Sequence, residues 1–224
     1  NVVDLMLGKL QQLAEDTQHV LKLAACIGNR FNLSVLSIVN EKSQLITADQ
    51  LWESLQVGLI LPMSDASKIP LVVESSLDSA RPEDKLTISY QFLHDRVQQA
   101  AYTLIPEDSK KAVHLKIGRL LLANTSAESA EYIFELVNHL NLGRQLMVDE
   151  PEKIELIKLN LKAAQKAKDS TAYASALEYL TIGIECSTAN IWSLHYELAF
   201  VLHKEMAEIE YLNGNFEKSA GLSQ

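Results

Sequence analysis

The chain has 224 residues, 47% of them hydrophobic, and carries 20 Lys and Arg against 29 Asp and Glu. This length and apolar content suffice for one or two packed domains and exclude a largely disordered chain. The net charge of −9 disfavours nonspecific binding to DNA or to acidic membranes.

The first 105 residues predict a mainly helical domain that includes a small sheet. Apolar residues at helical spacing predict helices over residues 17–29, 33–40 and 47–56, and extended pieces are predicted near 59–61, 71–74 and 87–93. Residues 62–84 contain several prolines, serines and acids, which predict a loop or wing between paired strands. Three helices with a small antiparallel sheet make up a winged-helix domain, which we assign to residues 1–105.

A junction at His94 is the most distinctive feature of this domain, because strand alternation stops there and helical spacing begins. Asp95 predicts the N-cap of the following helix, and Gln98 completes a capping box. Free N–H groups and the helix dipole favour anions at such an end, so His94 could help to hold a nucleotide phosphate. The alternative is that His94 only packs and hydrogen-bonds at the junction, and the residues alone leave both interpretations open.

Residues 106–224 predict an antiparallel helical array, with breaks at Pro106, near 124–126, at 141–143, at Pro151 and at 213–215. Small residues precede an aromatic residue at Tyr173 and again at Phe216, which is the tetratricopeptide pattern of paired helices. The two aromatics are spaced more widely than the ~34 residues of the standard repeat. Such an array presents a concave face for a protein or peptide, or is a bare spacer. A helix beginning near Phe216 leads us to expect an incomplete array and a larger parent protein.

The sequence contains no self-contained active site. Gly8 and Lys9 lack the upstream glycine and the following Ser or Thr of a phosphate loop, and the six histidines lack metal-ligand spacing. Three acids at helical spacing are interpreted as a solvated face: Glu128, Glu131 and Glu135. We therefore expect no enzyme, metal site or cofactor within this segment alone.

Cysteine content and hydropathy predict a reducing, cytoplasmic location. Cys26 and Cys186 are far apart in sequence, and Cys26 lies in an apolar helical pattern, so free thiols are expected and neither is predicted to be catalytic. No apolar run approaches the ~20 residues that span a bilayer, and no secretory signal opens the chain. We expect no membrane partner.

A winged helix also suggests a DNA-binding regulator, which the charges of its expected recognition helix argue against. Residues 47–56 contain Asp49 and Glu53 but neither Lys nor Arg, and acids outnumber bases over residues 1–105. Phosphate contacts supply much of the affinity for a duplex, and few are offered here. We expect no nucleic-acid partner, and keep a DNA-binding regulator and a structural helical spacer as the alternative functions.

Several sequence runs carry a family resemblance: Val20-Leu21-Lys22-Leu23-Ala24-Ala25-Cys26-Ile27-Gly28, Leu51-Trp52, Phe92-Leu93-His94-Asp95-Arg96-Val97-Gln98-Gln99-Ala100-Ala101-Tyr102 and His114-Leu115-Lys116-Ile117-Gly118-Arg119-Leu120-Leu121. In this order they resemble the winged-helix region of STAND-class signal-transduction NTPases, a branch of the AAA-type ATPases. The resemblance is closer to very large bacterial multi-sensor histidine kinases, many of them cyanobacterial, which often begin with a serine/threonine-kinase-like domain. It covers nearly the whole chain and is strongest over residues 1–143.

The resemblance implies a regulatory and interaction role in two-component signalling. In that family the winged helix folds over the nucleotide of a preceding ATPase domain, and a His-Asp histidine, here His94, contacts the ADP phosphate. It further implies that Arg96 reaches a phosphate or an acidic helix, and that Asp95 and Gln98 cap and orient the junction. ATP or ADP and Mg are expected for the parent protein, whose phosphate loop lies outside these residues. The implied partners are the upstream ATPase domain and downstream sensor and kinase domains of the same chain.

Overall fold

A computed structural model describes residues 2–63, 88–124, 132–187 and 190–222. The chain forms two compact units, Asn1–Lys110 and Lys111–Gln224. The described residues are mainly helical, with one small three-stranded antiparallel sheet, which confirms the predicted mainly α class. Among the described helices, none combines the length and apolar character needed to cross a membrane.

The first unit alternates short helices with very short strands. Its elements are α1 (Val2–Gln11), α2 (Glu15–Ile27), β1 (Arg30–Asn32), α3 (Leu33–Asn40), α4 (Gln44–Gln56), β2 (Ile60–Pro62), β3 (Ser89–Phe92) and α5 (Asp95–Thr103), and α6 (Glu107–Asn124) begins here. Side-chain caps set the starts of α3 and α4. Asn32 Oδ1 accepts the N–H of Ser34 at 2.7 Å, and Ser43 Oγ accepts that of Ile46 at 3.3 Å.

The sheet has the strand order β1–β3–β2, so the last strand lies between the other two and pairs antiparallel with both. Phe31 is opposite Tyr90, and Ile60 is opposite Phe92. These four side chains are buried, and the Phe31 ring packs 5.5 Å from that of Phe92. One face of the sheet therefore lies on the core. The sequence did not reveal β1, because three residues are too few to show a strand period.

Helix α2 lies at the centre of the first unit, as its apolar sequence predicted. Val20, Leu21 and Ala24 are fully buried, and α2 packs against α3, α4 and α5. The helix ends at Ile27 and not at residue 29, because the following Gly28 has a φ of 153°. The Gly28 N–H makes the last hydrogen bond of the helix, to the Ala24 carbonyl. The predicted strand at 71–74 and nearly all of the predicted wing at 62–84 lie outside the described residues.

Every described regular element of the second unit is helical. After α6 come α7 (Ile133–Gly143), a 3-10 turn (Arg144–Leu146), α8 (Glu150–Asp169), α9 (Tyr173–Glu185), α10 (Ile191–Leu194), α11 (Tyr196–Leu212) and α12 (Phe216–Leu222). Helix starts just after Pro106 and at the Glu150–Pro151 pair agree with the predicted breaks. The helix start at Tyr173 agrees with the paired-helix pattern predicted there, whereas the break between α9 and α10 was not predicted because residues 186–190 contain neither Pro nor Gly.

Helices of the second unit pack against near neighbours in sequence, namely α7 with α8, α8 with α9, α9 with α11, and α11 with α12. The connection between α8 and α9 spans three residues, which makes the pair a helical hairpin. Small side chains bring the helices close: Ala163 and Ala164 are buried on α8, and a Cβ at Gly183 would meet Leu202 at 3.2 Å.

Candidate functional site

The segment that joins β3 to α5 is held by backbone bonds on both sides. Phe92 N–H donates to the Asn29 carbonyl at 2.9 Å, and Leu93 N–H donates to the Leu59 carbonyl at 2.9 Å. Phe92 is completely buried, whereas Leu93 is 56% exposed. The chain therefore leaves the core at Leu93, and the following residue, His94, is anchored at a defined position on the surface.

His94 itself is the N-cap of α5. Its φ of −154° and ψ of 147° are extended, and its Nδ1 accepts the N–H of Arg96 at 3.1 Å. The prediction that Asp95 caps this helix was wrong by one residue: Asp95 is already helical, and Val97 N–H donates to the His94 carbonyl at 2.8 Å. An imidazole nitrogen can accept the amide bond that a carboxylate would accept, so His94 takes the place expected of an Asp.

The cap fixes the chemistry that His94 offers to solvent. Because Nδ1 must be unprotonated to accept a hydrogen bond, the neutral ring carries its proton on Nε2. The side chain is exposed. His94 can therefore donate an Nε2–H hydrogen bond outward while its other nitrogen holds the helix start.

Gln98 does not complete the predicted capping box. Its amide Nε2 instead donates to the carbonyl of Ala25 at 3.0 Å. That carbonyl belongs to the last turn of α2, where backbone acceptors lack partners within their own helix. Gln98 therefore ties the start of α5 to the end of α2. This bond orients the helix that carries His94, since α5 also packs against α1 and α2.

Asp95 and Arg96 are exposed on the first turn of α5, beside His94. Arg96 Nη1 donates to Gln99 Oε1 at 3.2 Å, and no carboxylate among the described residues forms an ion pair with this guanidinium. The structure thus brings His94 and Arg96 together at one exposed helix end and turns Gln98 inward. The role of His94 and Arg96 in sensing a nucleotide stays a prediction.

Helix α4 is the helix that the sequence predicted for recognition, and its exposed face includes large apolar side chains beside Asp49. Thr47, Leu51 and Ser54 are fully buried, whereas Leu45 and Trp52 are 51% and 55% exposed. Lys and Arg are absent from the helix. The exposed face therefore lacks the cations that hold a phosphate backbone, and it is better suited to contact with another protein surface.

The second unit contains buried polar pairs that the sequence analysis did not identify. His114 on α6 and His139 on α7 are about 95% buried, and their Nδ1 atoms are 2.9 Å apart. Burial, together with the charge of His114, lowers the pKa of His139 to about 4. Asn141 and Asn160 exchange two amide bonds of 2.9 Å each. Polar residues at core-facing helical positions were the only available sequence signal for these pairs.

Glu135 on α7 corrects the interpretation of three acids as a solvated face. Its Oε1 is buried without a hydrogen-bond partner among the described residues, and burial raises the pKa of the carboxyl group. Helical spacing alone does not say which side of α7 faces solvent. Glu128 and Glu131 lie outside the described residues.

The described residues include neither a cluster of metal ligands nor a cysteine with an activated thiol. No group of three or more His, Cys, Asp or Glu side chains there is arranged to hold a metal ion. Cys26 and Cys186 are both free thiols. Burial raises the pKa of Cys26 to about 12, although nearby Lys110 opposes the shift, so this thiol carries little of the reactive thiolate at neutral pH.

Comparison with known proteins finds similarity to one part of a very long signalling protein. Over 259 aligned positions the chain is 30% identical to the hybrid signal transduction histidine kinase G of Dictyostelium discoideum. The alignment covers 98% of this chain but only 8% of that protein. No protein-family model and no solved structure matches the chain. The chain is therefore similar to a small segment of a histidine-kinase-related signalling protein.

Proposed function

We propose that this chain is a regulatory, non-catalytic segment of a large signalling ATPase and histidine kinase, in which His94 senses the nucleotide of a neighbouring ATPase domain. The observation that carries the proposal is the geometry of His94, whose Nδ1 caps α5 while its Nε2–H remains available on an exposed side chain. The similarity to a segment of a hybrid histidine kinase supports the signalling context.

The first unit is proposed to be a winged-helix domain. The order α2, β1, α3, α4, β2 and β3 supports this assignment, as does the antiparallel sheet in which β3 lies between β1 and β2. The exposed Leu45 and Trp52 of α4, and the absence of Lys and Arg from this helix, favour contact with a protein domain over contact with DNA. In this proposal the domain docks on the ATPase domain of the same protein and not on a duplex.

The described residues offer hydrogen-bond donors to a phosphate group at one place, the start of α5. They do not by themselves form a complete nucleotide-binding site. His94 and Arg96 supply donors at the first turn of α5, where the helix dipole also favours negative charge. ATP or ADP and Mg would be bound mainly by the ATPase domain. A hydrogen bond from His94 to a charged phosphate is worth roughly 1.5 to 3 kcal/mol, which corresponds to about tenfold to a hundredfold in ADP affinity.

The second unit is proposed to be a tetratricopeptide-like array that binds a protein or peptide partner. The hairpin of α8 and α9, the pairing of α11 with α12, and the small residues between helices support this assignment. Partner binding and nucleotide state would be coupled if each favours a different docked arrangement of the winged helix. Downstream sensor and kinase domains are the proposed recipients of this change.

The test is ADP binding by a longer natural chain that includes the preceding ATPase domain. Titration with a fluorescent ADP analogue is expected to give at least tenfold weaker binding for His94→Ala than for the native chain. His195→Ala changes an exposed histidine of the second unit and is expected to leave binding unchanged. Equal affinity of the native and His94→Ala chains, both folded by circular dichroism, would leave His94 a structural cap and favour a spacer role.

A further inference from the structure

We draw no further inference here: the strongest candidate, the groove of about 730 Å³ that Trp192, Phe200 and Tyr211 line beside α11 in the second unit, is an exposed aromatic face, and nothing in the structure shows what covers it.

Discussion

Replacing Gly143 with alanine is expected to destabilise the second unit because the site has no room for a methyl group. A Cβ at this position would lie 2.6 Å from Leu115 Cβ and 2.9 Å from Leu115 Cα. Both Leu115 atoms are fixed to the backbone of α6, so the helices would have to separate. Gly118 on α6 faces Leu140 in the same way, but its nearest obstacle is the end of a flexible side chain, at 2.5 Å.

The magnitude follows from two opposing contributions. Forcing a methyl group into a packed contact costs typically 1 to 3 kcal/mol, or about 2 kcal/mol here after α6 shifts. Alanine in place of glycine within a helix contributes up to about 1 kcal/mol of stability. Gly143→Ala should therefore lower the free energy of unfolding by about 1 to 2 kcal/mol, and Gly118→Ala by less. Gly221→Ala, where nothing lies within 4 Å, should raise it by about 0.5 kcal/mol.

Urea unfolding followed by circular dichroism measures all three variants against the native chain. The packing argument requires the order Gly221→Ala, native, Gly118→Ala, Gly143→Ala from most to least stable. A Gly143→Ala chain as stable as Gly221→Ala would show that α6 and α7 do not approach as closely as described.

Three further predictions concern single residues of the second unit. The pKa of His139 is about 4 in the folded chain, against about 6.5 in the unfolded chain. The free energy of unfolding that is present above pH 6.5 should therefore fall by about 3 kcal/mol as the pH is lowered toward 4. In urea unfolding at several pH values, His139→Gln should remove most of this pH dependence, whereas His195→Gln should not. Glu135→Gln should raise the melting temperature at neutral pH, because burial raises the pKa of the carboxyl group and disfavours its charged form. The gain should disappear at acidic pH, where the native carboxyl group is protonated. A lower melting temperature of the variant at neutral pH would contradict the burial of Glu135. Thr171 has a φ of 60°, a backbone conformation that glycine adopts more easily, so Thr171→Gly should stabilise the chain by about 1 kcal/mol in thermal unfolding. A destabilised variant would mean that contacts of the Thr171 side chain contribute more free energy than its backbone conformation costs.

Helices of the first unit were predictable because local signals agree with burial. The apolar run around Val20 and Leu21 identified the central helix, and α3 was predicted with its observed bounds. Strand β1 was missed because three residues carry no measurable period, and its position depends on pairing with β3, which is distant in sequence. Strand pairing is a tertiary property that a local pattern does not report.

The candidate site shows how side-chain roles depend on tertiary contacts. The junction at His94 was evident from the change of period, but the roles of its neighbours were not. Asp95 has the better intrinsic capping propensity, yet the backbone bonds of Phe92 and Leu93 place the first helical residue at Asp95 and leave the cap to His94. Gln98 donates to the Ala25 carbonyl on α2 and does not accept the backbone N–H that a capping box would supply.

Buried polar pairs of the second unit were beyond sequence reasoning for a similar reason. His114 and His139 are 25 residues apart, and their contact depends on how α6 and α7 pack. Glu135 was misplaced on a solvated face because helical spacing groups residues on one side of a helix but does not identify what covers that side.

The most direct test of the nucleotide-sensing role separates the cap of His94 from its outward hydrogen bond. Asparagine is a strong N-cap and can accept the Arg96 N–H, and its remaining amide N–H donors lie on a shorter side chain than the imidazole Nε2–H. ADP affinity should be measured by calorimetry on a longer natural chain that includes the proposed ATPase domain, comparing the native residue with His94→Asn and His94→Ala. The account predicts that both variants bind ADP at least tenfold more weakly although His94→Asn retains native stability. Native ADP affinity in His94→Asn would contradict it, because the cap alone would then explain why histidine occupies this position.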